Sequence, residues 1–224
     1  MTSRHYGRKN PRGFSCFSSK KIFNSKYFFS GLTAQKVLSN FKRKYKYISL
    51  EIGFGLGENI IFLSKRAKLS EGIIGCDPYL SGHLRLVNYI NLTNVSNITF
   101  TNLDFFSLYG FIKKLCFTNI YVLFPDPWPK KRHAKRRIIN ESNLKKLSLL
   151  LRPNGRITLA TDDEKYFEVI KKTFFSNCEF QPCPSCFISD DPSKLSVSKT
   201  KYFLKAKKNS RKPNYISFIK KKVI

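Results

Sequence analysis

Acidic residues are scarce in this chain. Fourteen Asp and Glu stand against 42 Lys and Arg, giving a formal net charge of +28 over 224 residues. Such an imbalance calls for a polyanionic partner. No apolar run approaches the ~18 residues of a membrane span, so a bilayer-crossing chain is not expected. A basic amphipathic helix with a clean apolar face is also missing, which favours nucleic acid over a membrane surface. The basic stretch 1–10 has no apolar segment behind it, so no secretory signal is expected. Six cysteines, scattered without a dense framework, suit a reducing cytoplasm. Internal repeats are absent. What is present is enough for a core: hydrophobic residues make up 42%, with 21 Phe and 11 Tyr. Length and composition fit one α/β domain with arms.

The acids are unevenly placed. Residues 1–50 carry 12 basic residues and no acid, and residues 192–224 carry 11 and none. Six of the remaining cations fall in Lys130-Lys131-Arg132-His133-Ala134-Lys135-Arg136-Arg137. Outside that run, residues 51–191 hold 13 basic and 14 acidic residues, close to neutrality. The organisation expected is a loosely structured basic arm over 1–45. A catalytic-type domain follows over 46–224, with a basic C-terminal segment from 192.

Strands and helices alternate through the middle. Short apolar runs at 48–52, 73–76, 98–101, 120–124 and 156–160 predict strands. Helical spacing covers about 58–68, 79–91, 138–150 and 163–175. Two further strands are expected near 200–206 and 214–220. This alternation predicts a parallel, doubly wound sheet, whose ligands bind beyond the carboxyl ends of its strands. Those ends carry Glu51, Asp77, Asp104, Asp126 and Asp162, five of the fourteen acids.

Gly53, Gly55 and Gly57 follow the first strand and permit a tight turn with close ligand approach. Their spacing is G-x-G-x-G, not the dinucleotide G-x-G-x-x-G. Glu51 before the loop and Glu58 after it disfavour a pyrophosphate, which makes a nicotinamide cofactor a poor fit. A cationic ligand such as S-adenosylmethionine, with its sulfonium and ammonium, suits these acids. Asp77 lies 24 residues beyond Gly53, near the spacing of an acid that bonds ribose hydroxyls. Asp104 is then expected near the adenine amino group.

The most specific segment is Phe124-Pro125-Asp126-Pro127-Trp128-Pro129 with the basic run behind it. Its prolines stiffen the backbone around Asp126. The single Trp128 offers a stacking face. Lys130, Lys131, Arg132, Lys135, Arg136 and Arg137 offer phosphate contacts. His133 reads as solvated or phosphate-facing rather than as a base. The aromatic clusters 27–29 and 174–175 read as core. Cys183-x-x-Cys186, with Cys178 nearby, lacks the second half of a zinc site, and no metal is expected.

On these stretches, together with Ala160-Thr161-Asp162, Thr200-Lys201-Tyr202 and Arg4-His5-Tyr6-Gly7-Arg8-Lys9, the sequence resembles the bacterial tRNA (guanine-N7-)-methyltransferase family. The resemblance implies a Rossmann-like class I S-adenosylmethionine-dependent methyltransferase fold. Such a fold has a mostly parallel seven-stranded sheet with helices on both faces. It further implies methylation of N7 of the variable-loop guanine, position 46, of tRNA. No obligatory protein partner is expected. By position, Glu51, Asp77, Asp104 and Asp126 match the family's cofactor contacts, and Asp126 also its catalytic position. Lys130, Asp162 and the segment Thr200, Lys201, Tyr202, Phe203 match its substrate contacts. Phe203 stands where the family's segment usually carries Glu. A non-catalytic basic RNA-binding protein on a methyltransferase scaffold is the alternative.

Overall fold

The computed structural model describes residues 15–113, 116–185 and 187–222. The chain divides into two compact units, one up to residue 115 and one from residue 116.

The first unit repeats strand and helix: β1 (Tyr47–Ile52), α3 (Glu58–Arg66), β2 (Glu71–Cys76), α4 (Leu80–Thr93), β3 (Ile98–Thr101) and α5 (Phe105–Ile112). Strands β3, β2 and β1 pair in that order, all parallel, with Leu50 opposite Ile74 and Ile74 opposite Thr99. Parallel neighbours need a crossover, and the intervening helices supply it. β2 and β3 are buried along nearly their whole length, which explains their continuous rather than alternating apolar sequence. Ile60, Ile73, Leu86, Val87, Ile90, Ile98 and Phe100 form the core.

Ahead of β1, the described part of the expected loose arm is instead folded into α1 (Cys16–Phe23) and α2 (Ala34–Lys44). Ser15 caps α1 by accepting from the Ser18 amide at 3.1 Å. Ile22 and Phe29 are fully buried. The Phe29 amide donates to the Phe100 carbonyl and the Phe100 amide to the Tyr27 carbonyl, both at 3.0 Å, which extends the sheet beyond β3. In α2, Ala34, Leu38 and Phe41 are buried at spacings of four and three, one helical stripe among lysines. The Arg4 to Lys9 match lies outside the described residues.

The second unit contains β4 (Phe117–Leu123), α6 (Glu141–Leu150), β5 (Leu151–Thr161), α7 (Glu164–Phe175), β6 (Phe180–Pro182), β7 (Ile188–Ser189), α8 (Lys201–Lys208) and β8 (Asn214–Lys220). Short 3₁₀ turns cover Lys131–Arg136 and Pro192–Leu195. β4 and β5 are parallel, β8 runs antiparallel to β5, and β6 and β7 both pair antiparallel with β8. The strand expected near 200–206 is the helix α8. Thr200 caps it by accepting from the Phe203 amide, and Phe203 and Ala206, three apart, are its buried face. The helix expected from 138 begins at Glu141, because Asn140 caps it by accepting from the Asn143 amide at 3.0 Å. Among the described residues the strands number eight, the extra one being the two-residue β7. No helix of the described residues is long and apolar enough to cross a membrane.

Candidate active site

At the end of β1 the chain makes three left-handed turns in five residues. Gly53, Gly55 and Gly57 have φ of 73°, 55° and 74°, a region that side chains with a Cβ rarely enter. The Gly53 amide donates to the Cys76 carbonyl at 2.8 Å, anchoring the loop on β2. A Cβ at Gly53 would meet nothing within 4 Å, so the backbone there faces open space. Asp77 holds the loop in shape: one carboxylate oxygen accepts from the Gly55 amide and the other from the Tyr79 amide, each at 2.7 Å. A residue that sequence reasoning missed completes this arrangement. A Cβ on Gly82, in the first turn of α4, would lie 1.9 Å from the Gly55 carbonyl oxygen. The signal was there, since a glycine inside a helix costs about 1 kcal/mol and needs a reason.

Glu51 is 2% exposed. Burial, aided by the charges of Asp77 and Glu58, pushes its carboxyl up to about 8, although Asn59 Nδ2 donates to it at 3.0 Å. A buried acid in this state gains from a cation placed beside it. Glu58 pairs with Arg85 at 3.5 Å. Asp104 caps α5, accepting from the Ser107 amide at 2.9 Å and the Ser107 hydroxyl at 3.2 Å. Its carboxylate therefore serves the helix whatever else it meets.

In the second unit β4 ends in a strained loop. Phe124 and Trp128 have φ of 52° and 42° on either side of Pro125-Asp126-Pro127, a backbone state that clusters at functional sites. The Phe124 amide donates to the Ala160 carbonyl at 2.8 Å. Asp126 is exposed, as are Lys130, Lys131, Arg132 and Lys135. The last two cations of the run differ. Arg136 lies 5.0 Å from the centre of the Trp128 ring, which His133 meets edge-on at 5.7 Å. Arg137 turns inward and donates to the carbonyls of Pro127 and Trp128.

Asp162, at the end of β5, is partly exposed and pairs with Arg211 at 3.2 Å, a partner the sequence did not suggest. Its neighbour Asp163 caps α7 by accepting from the Tyr166 amide. In the segment from Thr200, Lys201 and Tyr202 are exposed. Tyr202 lies nearly parallel to Phe124, at 21° and 6.3 Å between ring centres. Thr200 and Phe203 are buried. Phe203 packs against Tyr215 with Lys207 over its ring. The residue expected among the substrate contacts is here a buried ring that joins the core. Of the aromatic clusters, Phe29 and Phe174 are core, while Phe175 is 58% exposed. Among the described residues no group of three metal-ligating side chains occurs, and Cys186 lies outside them.

The family described as "Putative methyltransferase" matches residues 45–215. A tRNA (guanine-N(7)-)-methyltransferase of Wolbachia pipientis is 35% identical over 85% of this chain and 79% of its own. One from Neorickettsia sennetsu is 37% identical over 75% and 72%. This chain belongs to the tRNA (guanine-N7-)-methyltransferase family. A solved 16S rRNA methyltransferase, KamB, shares the fold at 9% identity, with TM-score 0.60 over 87% of this chain and 95% of that one. The class I methyltransferase fold, α/β with a mostly parallel sheet and helices on both sides, is therefore the fold of this family member. Its glycine loop, acid-lined and without the dinucleotide spacing, fits S-adenosylmethionine: Glu51 answers positive charge, and Gly53 leaves open backbone for a ligand.

Proposed function

We propose that this chain methylates N7 of the variable-loop guanine, position 46, of tRNA, using S-adenosylmethionine. The observation that carries the reading is Glu51, a buried acid beside a left-handed glycine loop, which suits a cationic cofactor and disfavours a pyrophosphate. The substrate follows from the relatives, which are named for guanine N7 of tRNA. In this reading Glu51 and the loop at Gly53, Gly55 and Gly57 hold the cofactor, with Asp77 fixing the loop and Asp104 at its rim. Bound S-adenosylmethionine supplies an electrophilic methyl group.

The residues of the second unit have a positioning task. Guanine N7 is a bare lone pair on the base edge, so no proton has to leave before attack. Holding the base in line can supply ~7–11 kcal/mol of the barrier in favourable cases. The methylated base is cationic. A carboxylate accepting from its N1–H and N2–H orients it and stabilises the charge that develops. We assign that role to Asp162, which exchanges its exposed partner Arg211 for the base, and place Asp126 beside the transferred group. Lys130, Lys131, Arg132 and Lys135 take phosphates, with Lys201 and Tyr202 at the substrate side.

Equilibrium dialysis against labelled S-adenosylmethionine and labelled NAD tests the cofactor half, and only the former is retained. Methyl transfer to tRNA, followed by cleavage at 7-methylguanine, tests the product. A single cut in the variable loop is expected, and label spread over other guanines would contradict the assignment.

A further inference from the structure

The loop 124–128 carries Asp126, yet its own sequence gives it little to hold with. Pro125 and Pro127 have no amide hydrogen to donate, and Phe124 and Trp128 sit in sparsely populated backbone states. Besides the Phe124 amide, which donates to the Ala160 carbonyl, the loop is tied down from the end of the basic run. Arg137 Nε donates to the Pro127 carbonyl at 2.7 Å, and Nη2 donates to the Trp128 carbonyl at 3.1 Å. Two donors of one planar fork thus meet two consecutive carbonyls, a geometry suited to arginine.

Arg137 is itself fixed from several sides. Its guanidinium lies 5.3 Å from the centre of the Tyr166 ring, within range of a cation–π contact. Tyr166 is fully buried, and its hydroxyl accepts from the Ile139 amide at 3.1 Å. The Arg137 carbonyl accepts from Asn140 Nδ2 at 2.8 Å and Asn143 Nδ2 at 3.2 Å. The Arg137 amide donates to the Ala134 carbonyl at 3.1 Å. By contrast, Lys131, Arg132 and Lys135 of the same run are exposed.

We propose that Arg137 is a positioning residue that straps the Pro-Asp-Pro-Trp loop and so presents Asp126, and that it is not a phosphate contact. The catalytic part rests on the tRNA methylation reading; the strap does not. Charge alone assigns all six cations to the RNA. The geometry divides them, with the outward ones left for phosphates and Arg137 spent on the protein's own carbonyls.

The full-length chain with Arg137→Gln or Arg137→Lys tests this, and Trp128, the only tryptophan, gives an unambiguous optical reporter. In both variants acrylamide quenching of Trp128 should rise about two-fold or more. The slope of log K for tRNA against log salt should stay at the wild-type value. The kcat should fall about 100-fold, as a small misplacement near the chemistry can cause, with little change in KM for tRNA. A phosphate contact predicts the reverse pattern: the slope drops by ~0.7–0.9 in Arg137→Gln and is kept in Arg137→Lys, with quenching and kcat unchanged. That pattern would overturn the proposal. Should either variant fail to fold, the wild-type protein still decides. The Arg137 Nε–H should exchange slowly with water in the absence of RNA, and exchange as fast as a surface arginine would refute the strap. If the wild-type chain methylates no tRNA, the functional reading fails while the quenching and exchange results still stand on their own.

Discussion

Glu51 is where stability and function pull in opposite directions. Its carboxyl ionises near 4.5 in the unfolded chain and at about 8 when folded. Its contribution to stability is therefore full below pH 4.5 and is lost as pH rises through 8. His83 behaves oppositely. Burial lowers it from 6.5 to about 4, so its contribution is full above 6.5 and is lost as pH falls through 4. The two offset one another between pH 4.5 and 6.5. From pH 6.5 to 8, among the described residues, the Glu51 contribution is the one that changes, and the cofactor-free protein should lose stability over that window. Glu51→Gln should flatten the curve there, as chemical denaturation at fixed pH values would show. Because a cation favours the ionised carboxylate, S-adenosylmethionine affinity should rise up to ten-fold per pH unit between pH 6 and 7.5. That rise should vanish in Glu51→Gln. Asp162 offers a simpler test. Its pair with Arg211 is exposed, and such pairs contribute only ~0–1 kcal/mol. Asp162→Asn should leave the melting temperature nearly unchanged while lowering kcat/KM for tRNA by about two orders of magnitude.

The elements of the sheet were legible because a doubly covered strand must be apolar throughout; 73–76 and 98–101 could hardly be anything else. The loops at the strand ends were legible through their glycines and acids. Elements decided by capping and by a narrow buried stripe were not. Tyr202-Phe203-Leu204 looks like a strand until Thr200 caps the chain into α8 and buries only Phe203 and Ala206. In α2 the stripe of Ala34, Leu38 and Phe41 was hidden by lysines, which dominate composition without affecting which face is buried. Nor does local sequence say which cation of 130–137 turns inward, since that depends on carbonyls nine and ten residues away. The packing of α4 on the glycine loop gives a prediction at this scale. Gly82→Ala should improve helix propensity by about 1 kcal/mol. The Cβ so close to the Gly55 carbonyl must nevertheless displace the loop, a strain of about 1–3 kcal/mol. The net expectation is a lower melting temperature and S-adenosylmethionine affinity reduced about ten-fold or more, measured by calorimetry.

Across the whole molecule, the charge of +28 no longer includes a loose basic arm ahead of the domain. The described part of the first arm is built into the first unit through Ile22, Phe29, Leu38 and Phe41. Deleting residues 1–45 would therefore damage the fold and say little about RNA. Point changes are the better probe. Lys20, Lys21 and Lys26 line a groove beside Phe17 and Tyr27 on that unit. Their joint replacement by Ala should lower the salt slope of tRNA binding by ~0.7–0.9 for each lost phosphate contact, with the melting temperature kept. The acids remain the more informative charges, since each of the five at strand ends now has a defined place: Glu51 buried, Asp77 and Asp104 tied to backbone amides, Asp126 exposed and Asp162 paired with Arg211. The most direct measurement is methyl transfer from labelled S-adenosylmethionine to two tRNA transcripts that differ only at position 46. The guanine transcript should be labelled at N7 of that base, the adenine transcript should stay unlabelled, and Asp126→Ala should bind both yet label neither. Equal labelling of the two transcripts would contradict the account.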